Sequence, residues 1–145
     1  MTPDSLEKRE TSAIEIAALF RRYEVAMADA VVAAQSTDGR YVDAYTAGFL
    51  LAKIVVRTSG HRVRGGENNR DTLSAVPWLM GSVAQASIDA LDAARKQRNV
   101  DLYDDAGTVE DSDVDALVQR VVAFEREVRS WMRAHHPELL GGRTE

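Results

Sequence analysis

The chain has no cysteine, which excludes a disulfide framework and a thiolate metal site. Proline appears only three times. No apolar run reaches the roughly 18 residues of a membrane span, and the N-terminus lacks the apolar core of a signal peptide. Both absences predict a soluble, cytoplasmic protein with no membrane partner. Positive charge is in deficit: 18 Lys and Arg against 23 Asp and Glu, a net charge of −5. That argues against a generic nucleic-acid coat. The H-x-E, H-E-x-x-H, P-loop and G-x-S-x-G signatures are all missing. His135 and His136 are adjacent, so on a helix they point about 100° apart and share a metal poorly. His61 stands alone, and the acids from Asp101 to Asp115 lack the spacing of a calcium loop. No metal and no cofactor is expected.

What remains is alanine- and valine-rich and long enough at 145 residues for one domain with a real core. Its charge is uneven. Lys53, Arg57, Arg62, Arg64 and Arg70 form one basic group; Arg95, Lys96 and Arg98 form another. Apolar spacing of three and four predicts helices over about 12–34, 40–58, 70–80 and 82–102, and a last one running to about 135. Ser36-Thr37-Asp38-Gly39 reads as a turn, and Gly60 as a helix stop. Gly48, costly in mid-helix, calls for either a close helix approach or tolerance. Pro77 should kink or restart the short third helix. Ser112 is the expected N-cap of the last helix, and Pro137 its end. The segment 61–69 reads as an irregular loop. No alternating strand pattern appears. The expected fold is all-α, an up-and-down bundle of four long helices and one short one. Residues 1–10 and 138–145 are expected as flexible ends around a single domain, 11–137.

The stretch from Asp92 to Asp104 departs from this simple pattern. Ala84, Ile88, Leu91, Arg95, Arg98 and Leu102 share one helical face, so two guanidiniums interrupt an apolar stripe. A buried guanidinium needs a carboxylate or an anionic ligand. Arg95, Asn99 and Tyr103 follow at steps of four along one edge. Arg98 and Tyr103 are five apart, about 140° on a regular helix, and converge only if the helix loosens near Asp101 or a second chain contributes. An Arg/Asn network bridging helices, with Asp43 or Asp101 as internal partner, is the structural alternative. The loop arginines Arg62 and Arg64, beside Gly65-Gly66, could wrap an anion, but a flexible solvated loop is the simpler reading.

The segment Arg95-Lys96-Gln97-Arg98-Asn99-Val100-Asp101-Leu102-Tyr103-Asp104 resembles the R-x-x-R-N-x-x-x-Y-[DE] signature of small HEPN-domain proteins. Asp43-Ala44-Tyr45-Thr46-Ala47 is similar to that group's second-helix pattern, and Ser59-Gly60-His61-Arg62-Val63 to its G-Y-R loop. Val128-Arg129-Ser130-Trp131-Met132, with His136-Pro137, resembles its closing segment, so the likeness spans about residues 13–140. It implies a helical bundle that dimerises across a shared cleft. The activity implied is that of a metal-independent ribonuclease of toxin–antitoxin or phage-defence systems, with an antitoxin or nucleotidyltransferase as possible partner. The alternatives are a non-catalytic nucleotide-binding module and a purely structural dimerising bundle. By the resemblance Arg98, Asn99 and Tyr103 are the catalytic candidates, and Arg95, Lys96, Arg62 and Arg64 the RNA- or phosphate-binding ones. Two departures stand out. Tyr103 occupies the position of the family's catalytic histidine, and Asn68-Asn69 that of a histidine pair. A tyrosine, titrating ordinarily at about 10, is a poor base at neutral pH, so these residues suit holding a phosphate better than cleaving a chain.

Overall fold

The computed structural model describes residues 2–32, 35–66, 68–103 and 109–141, the side chains of 98–103 excepted. The described residues form a helical bundle of five α-helices and one small sheet: β1 (Leu6–Lys8), α1 (Ala13–Ala30), α2 (Thr37–Thr58), β2 (His61–Val63), α3 (Asn69–Met80), α4 (Gln85–Tyr103) and α5 (Asp111–His135). Short 3-10 turns cover Ser82–Ala84 and Pro137–Leu140.

α2 is the central element and packs on α1, α3, α4 and α5. Its sequence explains the position. Ala44, Ala47, Leu50, Leu51, Ile54 and Val55 are buried on successive faces, and a helix apolar nearly all round must be enclosed. Gly48 sits where α2 meets α4 and α5. A Cβ there would overlap Leu91 Cδ2 and lie 3.2 Å from Val121 Cγ2, so a close approach accounts for the glycine. Polar pins join the helices. The Tyr23 hydroxyl donates to Glu125 at 2.9 Å, and the buried Ser87 hydroxyl donates to Glu127 at 2.8 Å. Arg129 lies over the Phe20 ring at 4.0 Å.

Several boundaries differ from the sequence reading. α2 starts at Thr37 because Ser36 Oγ accepts the Gly39 amide, turning the expected turn into the first helical turn. α5 starts at Asp111, capped by Glu110 rather than Ser112; the Asp113 carboxylate accepts the Glu110 amide at 2.9 Å. Pro77 lies inside α3 without ending it. α1, expected to run to about residue 34, ends at Ala30; Val31 is its C-cap and exposed, while Ala26 and Ala30 fill the seam.

The larger correction is the sheet. β1 and β2 pair antiparallel, with Leu6 opposite Val63, Glu7 opposite Arg62 and Lys8 opposite His61. Strands of three residues are too short for alternation to register. Leu6 and Val63 bury with Val56 and Ala75 in a second small core, so the N-terminal segment expected to be flexible is anchored from Leu6 to Lys8. The far end is also partly held: Leu139 and Leu140 pack on the main core. Residues 142–145 of the expected tail lie outside the described residues. No helix among the described residues is long and apolar enough to cross a membrane.

Candidate functional site

Arg95 does not interrupt the buried seam that runs from the turn at Ser82–Ala84 into α4. That seam runs through Ala84, Ser87, Ile88, Leu91 and Ala94, and the small Ala94 takes the place the spacing assigns to Arg95. Arg95 lies at the edge, its side chain 18% exposed, with Nη2 2.9 Å and Nε 3.0 Å from Asp92 Oδ1. Lys96 Nζ reaches Asp92 Oδ2 at 3.2 Å. The Arg95 hydrogen bond, followed by Lys96, holds the Asp92 carboxyl below its usual range against the opposing effect of burial. Both expected phosphate ligands on this helix therefore have a carboxylate partner. The side chains of Arg98, Asn99 and Tyr103 lie outside the described residues. The backbone is helical through Tyr103, so the loosening near Asp101 that would bring positions 98 and 103 together is absent. Asp43, the suggested internal partner of Arg98, accepts a 2.8 Å hydrogen bond from Gln35. Asn68 and Asn69 have local structural roles: Asn68 caps α3, and Asn69 Nδ2 donates to the Tyr45 hydroxyl at 3.0 Å.

The cations that do converge are on the other side of the sheet's anchor. A cavity of about 290 Å³ has Arg9, Lys53, Arg57 and Arg62 in its wall, Phe49, Val56 and Val63 as apolar lining, and Gly65, Gly66 and Thr72 beside them. Lys53 and Arg57 are four apart on α2 and so share a face. Arg9 arrives because β1 is fixed; its amide donates to Gly60 O at 2.8 Å. Gly65 and Gly66 both take positive φ, 79° and 107°, a conformation that leaves the backbone free of side chains at the edge of the cavity.

Two carboxylates organise these arginines. Glu15 receives Arg57 at 3.1 Å and Arg9 at 3.3 Å. Its carboxyl is held below the usual range, first by a 2.6 Å hydrogen bond from the Thr11 hydroxyl, then by Arg57 and Arg9, with burial opposing. Glu7 pairs with Arg62 and, at 3.6 Å, with Arg64. Each carboxylate serves two guanidiniums, so each cluster of three groups carries a net positive charge. Arg62 lines the cavity. Arg64 does not line it; its Nε donates to Asp4 O at 3.0 Å and braces the N-terminal segment.

Chemically the arrangement can attract an anion. Among the described residues no histidine or carboxylate lines it, so these offer no general base. Among the described residues no group of three or more His, Asp or Glu side chains could hold a metal. The basic cluster 53–64 was visible in the sequence, but Arg9 was not, because nothing marks a three-residue strand. No family model matches the chain, and neither a curated protein nor a solved structure is significantly similar to it.

Proposed function

We propose that the chain binds RNA, seating a phosphate in the cavity of Arg9, Lys53, Arg57 and Arg62. The observation that carries this reading is the convergence of four cationic side chains on one apolar-floored cavity in a protein whose net charge is negative. A local positive field against a repulsive background favours a specific anion over a general polyanion coat. The HEPN resemblance supports the same ligand class. Cleavage belongs to the proposal only through Arg98, Asn99 and Tyr103, and requires no metal.

A volume of about 290 Å³ lies at the small end of ligand sites and also favours a second reading, a module for one nucleotide. A homodimer, as the resemblance implies, is part of the proposal. Ile14 and Val25 are exposed along α1 and Val32 just beyond its end, and Arg21 and Asp29 stand four residues either side of Val25. Two copies crossing antiparallel at Val25 would set each Arg21 against the other's Asp29, as a two-fold interface requires.

The test is fluorescence anisotropy of a labelled single-stranded oligoribonucleotide, in EDTA, across a salt series. Lys53→Gln and Arg62→Gln should each weaken binding and lower the salt slope by about one. Arg64→Gln should leave both nearly unchanged. AMP competing as well as the oligomer would favour the nucleotide module. Unchanged affinity and slope in both pocket variants would refute the site.

A further inference from the structure

All three histidines and both tryptophans of the chain meet in one surface groove of about 590 Å³. They come from separate elements: His61 from β2, Trp78 from the last turn of α3, Trp131 and His135 from α5, His136 from just beyond it. His61 meets Trp78 edge-on, with centroids 6.4 Å apart and planes at 82°. Trp131 lies 5.1 Å from the His136 ring and 6.4 Å from that of His135. Trp78 is 46% exposed, a large aromatic face left to solvent.

The polar edge of the groove is also set. The Ser59 hydroxyl donates to Val56 O at 2.7 Å. Its oxygen, 3.2 Å from His61 Nδ1, is thereby left to accept. The neutral imidazole then carries its proton on Nδ1 and presents Nε2 as an acceptor. Among the described residues no carboxylate lines the groove, and Glu138, the carboxylate beside it, faces His136 Nδ1 at 3.9 Å, which disfavours an ammonium ligand caged by aromatics. Stacked faces with a ring acceptor suit a planar, hydrogen-bonding heterocycle. β2 contributes to both sites, His61 to the groove and the next two residues, Arg62 and Val63, to the cationic cavity.

We propose that this groove is a nucleobase site, in which an unpaired base of the RNA held by the cationic cavity stacks on Trp78 and Trp131. The inference rests on RNA as the ligand of that cavity, and the test separates the two. Both tryptophans lie in the groove, so tryptophan fluorescence, excited at the red edge where tyrosine does not absorb, reports its occupancy. A single-stranded oligoribonucleotide should quench it, while an abasic ribose-phosphate oligomer of equal length should bind, by anisotropy, without quenching. Trp78→Ala should weaken the oligoribonucleotide about tenfold and leave the abasic oligomer unchanged, as loss of one stacked base does. Trp78→Phe should recover most of that loss. Binding of the oligoribonucleotide without quenching, and equally to Trp78→Ala, would overturn the base site and leave the phosphate site standing. Failure of both oligomers to bind would overturn both.

Discussion

Glu15→Gln should destabilise the protein and tighten its grip on anions, two effects of opposite sign from one carboxylate. Glu15 anchors Arg57, whose side chain is 14% exposed, and Arg9, 39% exposed. Exposed pairs contribute at most about 1 kcal/mol and breaking a fully buried one costs about 3–5 kcal/mol. Glu15 itself is 31% exposed, so the loss belongs between these, at about 1–3 kcal/mol after solvent screening. In a chain of this size that lowers Tm by about 3–10 °C. The same change removes the carboxylate that partly neutralises Arg9 and Arg57, two of the cavity's cations. A unit charge acting across water contributes less than about 1 kcal/mol at such range, so Kd should tighten by roughly two- to threefold. Calorimetric melts and titration with the oligoribonucleotide give both numbers. The Tm difference also has a pH signature. The folded carboxyl is held below its ordinary value, so its stabilisation is present above the unfolded pKa and fades as pH falls through the folded one. The two proteins should therefore converge in acid. Affinity that falls together with stability would show that Glu15 shapes the cavity rather than neutralising it.

Gly48→Ala gains about 1 kcal/mol of helix propensity but drives a Cβ into Leu91, an overpacking that costs about 1–3 kcal/mol; the expected net effect is a lower Tm, and a higher one would refute the close approach of α2 and α4. Leu6→Ala should cost about 2–3 kcal/mol, because Leu6 fills the small core with Val56, Val63 and Ala75; a melt unchanged within 0.5 kcal/mol, roughly the scatter of surface substitutions, would mean that β1 contributes no stability. Val25→Asp should dissociate the dimer by placing two carboxylates at its centre; sedimentation of the unaltered chain as a 16.0 kDa monomer at high micromolar concentration would remove the premise.

The helices were legible because each carries several turns of regular apolar spacing and a local stop or cap. α1 begins next to Ser12 and α5 ends at His135, close to the bounds that the spacing gives. The errors arise where side-chain size or distant pairing decides. Ala94 and Arg95 are neighbours, and periodicity cannot say which takes the seam. The seam packs tightly, so the smaller residue wins, and Arg95 turns to Asp92 one turn back. β1 was invisible because three residues joined to a partner more than fifty positions away leave no local signature. With it went Arg9, and with Arg9 the recognition that the basic cluster 53–64 has a wall contributed by the N-terminus. The tryptophan–histidine groove was hidden for the same reason: its residues span β2, α3 and α5.

The most direct test of the cationic cavity as the binding site is nitrogen-15 amide NMR of the intact chain titrated with the single-stranded oligoribonucleotide. Gly65, Gly66 and Thr72 border the cavity, and their amide signals should move in step with the added RNA. The signals of Arg95 to Tyr103, on α4, should move less. Shifts confined to Arg95 to Tyr103, with Gly65, Gly66 and Thr72 unmoved at saturation, would contradict the account and return the binding site to the arginine stretch.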